Sequence, residues 1–394
     1  MSIAVVIPAM SDTAPIEILQ EVFKLCFSTP LVAYDAGEFP WYLDHVCSRW
    51  RALFFSMRST FWNRIIINDW QQVTATRHIE GIVAFLLGRT CGKPFSFIYI
   101  RTSRTHDIRQ ILAHSEQWEE ACIRLQPYEL EYLCDIKGRP PLLEEPDIDM
   151  IRRGQDHWRM EAANIFEDAP LLTHVVLWDA PGPFKFNWSS LTVVSFQQFT
   201  KNFLPILRDT INLVELCIEH SFPEDLRLIH LPRLERLSIN AVAFLTILAT
   251  PSLQQLKLNI SESTISDIDR AGIMGAFLRR WGIKLSALVI EDGYAATAKA
   301  ILLLTPEPDK LALLNVSNVA IVFDWMAETG TQELRFNSLL VKWTYRRVGE
   351  GLAALHDMIT LRNPSPKEVF IQILKESQSG AANVMQPLCR DRGI

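Results

Sequence analysis

The sequence lacks the groupings that mark a metal centre, a disulfide scaffold or a hydrolase. Its seven cysteines stand at 26, 47, 91, 122, 134, 217 and 389, an odd number with no Cys-x-x-Cys. Neither a disulfide framework nor a thiolate zinc site is indicated. Reduced thiols are expected, in an intracellular chain of the cytoplasm, the nucleus or both. The nine histidines include no His-x-x-x-His pair, and no Gly-x-Ser-x-Gly elbow occurs. Gly88 to Lys93 is one residue short of a phosphate loop, and Pro94 replaces the hydroxyl that would hold magnesium. Cys91, near Lys93, reads as a structural cysteine beside a turn. Asp147 and Asp149 fall in a Pro-rich stretch with no burial expected to shift their ionisation. No catalytic residue, metal or cofactor is expected.

Charge of one sign is not in excess either. The formal net charge is −6, which leaves no general nucleic-acid footprint. Arg101, Arg104 and Arg109 with His106 read as a solvated surface. No apolar run approaches the roughly 18 residues of a membrane span. Met1 to Met10 is apolar but lacks the basic start of a secretory leader. Neither nucleic acid nor membrane is expected as a partner.

What is present is core material. Apolar residues make up 48% of the chain, with 11 Trp and 21 Phe, which argues against global disorder. A length of 394 residues suggests two units or one elongated array.

Near the start, Asp12 or Thr13 can cap a helix and Pro15 suits its first positions. Ile18, Leu19, Val22, Phe23 and Cys26 recur at the spacing of one helical face. Val46, Trp50 and Leu53 repeat it on a second helix, continued by Phe54 and Met57. Phe61-Trp62 closes the run, and Arg64-Ile65-Ile66-Ile67 reads as a strand. A module of some fifty residues buries little apolar surface alone and gains from a partner. The ordered set Pro15-x-Glu17, Val22-Phe23, Val46-Cys47-x-x-Trp50-Arg51 and Phe61-Trp62 resembles an F-box, in the variant common in mushroom-type fungi. The resemblance implies docking onto the Skp adaptor of a cullin–RING ubiquitin ligase. Pro15, Ile16, Ile18, Leu19, Val22, Phe23, Val46, Trp50 and Leu53 would then contact or shape the adaptor face. Two departures stand out. Ala14 occupies the place of the family's Leu, which removes an apolar anchor of roughly 1–2 kcal/mol. The stretch from Ser28 to Trp41 reads as a loop longer than the module needs.

In the second half, apolar-x-x-apolar-x-apolar recurs at Leu172-Val175-Leu177, Leu191-Val194-Phe196, Leu213-Leu216-Ile218 and Leu234-Leu237-Ile239. It continues at Leu253-Leu256-Leu258, Leu285-Leu288-Ile290, Leu311-Leu314-Val316 and Phe336-Leu339-Val341. The starts lie 19, 22, 21, 19, 32, 26 and 25 residues apart, close to the period of leucine-rich repeats. The last two apolar residues of each unit are expected to bury from one side of a short strand. Helical stretches are expected between strands at 203–207, 242–248, 273–281 and 295–304. The Asn or Cys that follows the repeat in leucine-rich proteins is missing, so the array is expected to be irregular. An ordinary α/β layer domain is the competing architecture.

Between the two parts, helix and strand alternate in sequence. His78 to Leu87 reads as a helix stopped by Gly88, and Phe95, Phe97 and Tyr99 as one side of a strand. Ile108 to Trp118 reads as a helix with Trp118 as a core or stacking residue, and Ala121 to Leu125 as a strand. The Pro-rich, acidic stretch Gly138 to Asp149 reads as an exposed loop.

The expected fold class is therefore α/β: a small N-terminal three-helix F-box followed by an irregular leucine-rich-repeat-like α/β solenoid. The expected division is a flexible start over 1–12, the F-box over 13–68 and connecting helix–strand units over 69–165. The repeats follow over 166–365, then a C-terminal helix and mobile tail over 366–394. The resemblance implies a non-catalytic subunit that binds a Skp-type adaptor, and through it a cullin, and presents an unidentified protein substrate. Strand positions facing away from the core would choose that substrate, among them Glu215, Glu235, Arg236, Gln255 and Lys257. The alternative is a leucine-rich-repeat interaction scaffold with no ubiquitin-ligase role.

Overall fold

The computed structural model describes residues 14–26, 31–32, 46–57, 63–68, 79–100, 108–125, 133, 140–150, 166–178, 185–197, 203–219, 227–260, 266–305, 308–328, 336–344, 348–361 and 366–374. It is mixed α/β, built on parallel strands, and divides into two compact units at Leu213 and Val214. The expected caps Asp12 and Thr13 and the Phe61-Trp62 pair lie outside the described residues, as does most of 28–41.

The first unit opens with α1 (Ile16–Cys26), β1 (Leu31–Val32) and α2 (Ser48–Ser56). Pro15 itself starts α1: its carbonyl accepts from the amides of Ile18 and Leu19. Glu17 in the first turn and Lys24 in the last match the helix dipole. Cys47 starts α2 with an extended backbone, and its Sγ accepts from the Trp50 amide at 3.5 Å. A thiol thus does the work of a Ser or Asn cap.

Strands β2 (Arg64–Asn68), β3 (Phe95–Ile100), β4 (Trp118–Leu125), β5 (Glu145–Met150), β6 (His174–Trp178) and β7 (Val193–Phe196) follow, all pairing in parallel and in chain order. Between them stand α3 (Ile79–Thr90) and the short α4 (Arg109–Leu112), and α5 (Leu204–Asp209) follows β7. Register aligns Ile65 with Phe97, Phe97 with Ala121 and Ala121 with Pro146, and Val175 with Val194. Two residues on, Ile67, Tyr99, Ile123, Ile148, Leu177 and Phe196 form a second rung. Both rungs are buried, as the two-residue strand period requires. Trp118 is fully buried, packs on Phe97 at 4.9 Å and donates its Nε1–H to the Ile111 carbonyl at 3.2 Å.

Three expectations change here. The exposed loop expected up to Asp149 is in its second half strand β5, with Pro146 and Ile148 buried between β4 and β6. Neighbouring strands on both sides outweigh a local composition that suits a loop. Gly88 does not stop α3, which runs to Thr90. The reversal comes at Cys91 and Gly92, whose φ angles are 56° and 75°. The helix expected from Ile108 to Trp118 is the single turn of α4 and a 3-10 turn over Ser115–Gln117.

The second unit carries β8 (Glu215–Ile218), β9 (Ile229–His230), β10 (Arg236–Ile239), β11 (Leu248–Ala249), β12 (Gln255–Asn259), β13 (Ala287–Glu291), β14 (Lys310–Leu314), β15 (Ser338–Thr344) and β16 (Glu368–Leu374). Except for the small β9–β11 pair, these strands lie side by side in chain order, all parallel. A 3-10 turn, Val242–Ile247, is followed by longer helices: α6 (Asp267–Trp281), α7 (Ala295–Leu302), α8 (Val319–Ala327) and α9 (Val348–Leu361). The stretch with close repeats has room only for the short turn, and the later, longer intervals accommodate full helices. Ser266 caps α6 by accepting from the Asp269 amide, and Gly282 ends it at φ 62°.

Register corrects one repeat. Leu288 pairs with Leu311 and Ile290 with Leu313, so this unit is Pro308-Leu311-Leu313 rather than Leu311-Leu314-Val316. An odd shift exchanges the two faces of a strand: Leu313 is buried and Leu314 only half-buried. A further unit stands where a C-terminal helix was expected, because Val369 and Ile371 of β16 pair with Leu339 and Val341.

Candidate functional site

In the first unit, α1 divides its apolar residues between two sides. Leu19 and Phe23, one turn apart, are buried, and the Phe23 ring meets Trp50 of α2 edge-on at 5.1 Å. Leu53, Phe54 and Met57 of α2 and its C-terminal end join them inside. Ile18, Val22 and Leu25, at the same spacing one residue out of step, face outward, with Ile18 56% and Leu25 75% exposed. Ile16 and Val46 are exposed as well. The single stripe read from the sequence is therefore two stripes. Of the nine residues assigned to an adaptor face, Pro15, Ile16, Ile18, Val22 and Val46 are accessible, and Leu19, Phe23 and Leu53 hold the helices from within. Trp50 is half-buried, and its Nε1 is buried with no hydrogen-bond partner among the described residues. Arg49 Nη2 donates to the Ala14 carbonyl at 2.5 Å, which ties the start of α1 to α2 through backbone rather than through an apolar anchor.

The same unit holds a polar cluster on the other face of its sheet. Cys122 Sγ donates to Asp147 Oδ2 at 3.6 Å, and Arg124 pairs with Asp149 at 3.4 Å. The Arg124 guanidinium lies 5.7 Å over the Trp178 ring. Burial pushes the Asp147 carboxyl up to about 6 and the Cys122 thiol well above its ordinary range. The expectation that nothing buries Asp147 is thus corrected. A raised thiol is a poor nucleophile, so Cys122 acts as a hydrogen-bond donor.

In the second unit, the strand residues between the buried rungs face away from the core. Arg236 meets Glu215 across adjacent strands through Nε and Nη2, at 2.9 and 2.8 Å. Lys257 meets Glu291 at 2.8 Å. Three of the five residues expected to choose a target, Glu215, Arg236 and Lys257, are therefore engaged in ion pairs. Gln255 is exposed beside them, and Glu235 lies exposed one residue ahead of β10. Further along, Val289, Ala312, Leu340 and Phe370 align on four successive strands, with Lys310 and Lys342 nearby. A Leu311-Leu314-Val316 unit would turn Ala312 of this row inward, and the alternation in Lys310-Leu-Ala-Leu-Leu314 is the sequence signal for the observed register.

Among the described residues no group of three His, Cys, Asp or Glu is placed to hold a metal ion, and no helix is long and apolar enough to cross a membrane. Comparison with protein-family models and with curated proteins finds no match.

Proposed function

We infer that the chain is the target-recognition subunit of a Skp–cullin–F-box ubiquitin ligase, acting inside the cell. The observation that carries this reading is the outward stripe of Ile18, Val22 and Leu25 on α1, with Val46 at the approach to α2. An amphipathic helix normally turns its apolar side inward. Here α1 buries one stripe and leaves a second uncovered, the arrangement expected of a helix that serves a core and a partner. Apolar surface of this kind marks an interaction site. Its location within Pro15 to Leu53, on the residues that resemble an F-box, favours a Skp-type adaptor as the partner.

The parallel strands and intervening helices then form a leucine-rich-repeat-like solenoid whose free strand face receives a protein target. The ligase works by proximity: holding target and conjugating enzyme in one assembly raises their effective concentration. This subunit contributes positioning, and the chemistry belongs to other members of the assembly.

The test is co-purification with a Skp adaptor, using wild type beside Ile18→Asp/Val22→Asp. Retention by wild type and loss in the variant, with unchanged circular dichroism, supports the reading. A folded wild type that retains no adaptor overturns it. The alternative, a repeat scaffold without a ligase role, is favoured by two features, the small Ala14 where the family has a larger Leu and the long stretch from Ser28 to Trp41.

A further inference from the structure

The free strand face of the second unit is not uniform. On β8, β10, β12 and β13 its charges satisfy one another, Arg236 with Glu215 and Lys257 with Glu291. On β14 and β15 they do not: among the described residues Lys310 and Lys342 make no ion pair. Between these two lysines lies the apolar row Val289, Ala312, Leu340 and Phe370. Phe370, at its end, is 55% exposed. Ala312 is the small member and is itself only 9% exposed, so the larger Val289 and Leu340 on either side make it the low point, or dip, of the row.

We propose that this patch binds an extended segment of the target protein bearing an apolar side chain between two acidic ones. Register sets the geometry. Lys310 pairs with Ser338, so Lys342 lies four residues further along the strand direction on the neighbouring strand. At a rise of about 3.3 Å per residue, that is about 13 Å along the strands. An extended segment laid parallel to them places side chains i and i+4 about 13 Å apart on one side, with i+2 between. Acidic residues at i and i+4 reach Lys310 and Lys342, and an apolar residue at i+2 enters the dip at Ala312 beside Leu340. Glu368 is exposed on β16 at the level of Lys310, with Ser338 between them. It repels an acidic group displaced toward β16 and so fixes the segment over β14 and β15. Asn259, Glu291 and Leu314 precede Lys342 in the upper row; the Glu291 carboxylate is already neutralised by Lys257.

This proposal rests on the reading of the chain as a receptor for a protein target, and its test separates the two. A phage-displayed library of random nine-residue peptides is panned on the full chain, and on Lys310→Glu/Lys342→Glu in parallel. Both lysines project from the sheet, so the variant is expected to fold, and equal adaptor retention by the two proteins confirms that the rest of the chain is intact. The expected result is enrichment of peptides with acidic, apolar and acidic residues at alternate positions. The best of them, as a labelled synthetic peptide, should lose affinity about tenfold or more with the variant and weaken as salt rises. No acidic enrichment on the wild type, or equal binding by the variant, overturns the proposal and leaves the adaptor reading untouched. A chain that retains no adaptor but binds such peptides keeps this site and loses the ligase role.

Discussion

The Cys122 thiol donates to the Asp147 carboxyl from one strand to the next, at paired positions of β4 and β5. Burial is the largest influence on Asp147 and raises it from 3.8 to about 6. The Cys122 hydrogen bond, the Arg124 charge and the nearby Trp178 indole each work against that rise, and Asp149 adds to it. The indole is close enough to favour the anion, but Trp178 Nε1 and Asp147 Oδ1 close no hydrogen bond.

Because folded Asp147 keeps its proton to a higher pH than the unfolded chain does, the native state binds more protons between about pH 4 and 6. Stability therefore falls as pH rises through that window, and the loss is complete above it. Asp147→Asn, which still accepts from Cys122, is expected to exceed wild type by up to about 3 kcal/mol at pH 7.5, with the difference shrinking to about 0.5 kcal/mol at pH 4. Urea titrations at pH 4, 6 and 7.5 measure this. A variant less stable than wild type at pH 7.5 would show that burial does not dominate.

On α1, neighbouring residues should behave in opposite ways. Val22→Asp alters an exposed position and is expected to change stability by no more than about 0.5 kcal/mol while removing adaptor retention. Phe23→Ala removes the ring packed on Trp50 and is expected to cost about 3–5 kcal/mol. Thermal melts read beside co-purification separate the two effects. Equal destabilisation by both would contradict the two-stripe arrangement.

The Glu215–Arg236 pair has good geometry but stands in water. A double-mutant cycle on stability is expected to give a coupling of about 0.2–1 kcal/mol. Raising the salt concentration should shrink it. A larger, salt-independent value would mean the pair is shielded from solvent.

Gly293 follows the left-handed Asp292, and the space for its missing side chain is taken by Ile260. A Cβ there would stand 2.8 Å from Ile260 Cγ1. Gly293→Ala is expected to cost about 1–3 kcal/mol. In an Ile260→Ala background the same change should cost less, since the opposing atoms are gone. Additive losses in denaturant melts would argue that backbone rather than crowding sets the cost.

Much of the strand ladder was legible. Leu216, Leu237, Leu256 and Leu288 stand in register as their spacing predicted, because a repeated Leu pair buries wherever neighbouring units stack. Strand β5 was not legible: Pro146, Asp147 and Asp149 read as a loop, and only β4 and β6 on either side make them a strand. The capping role of Cys47 was not legible, since a thiol is an unusual cap.

By itself the sequence determined the α/β class, the apolar positions of most strands and the two N-terminal helices, because periodicity alone selects which residues leave water. The tertiary structure decided what periodicity leaves open. It chose which of two apolar stripes on α1 turns inward, and the Phe23 ring packs there against Trp50 of α2. It placed Leu313 inside and Leu314 on the free face, since register with β13 and β15 outweighs a local Leu pattern. It also paired Arg236 with Glu215 and Lys257 with Glu291 while leaving Lys310 and Lys342 without such partners among the described residues, because side chains distant in sequence become neighbours only when the strands align.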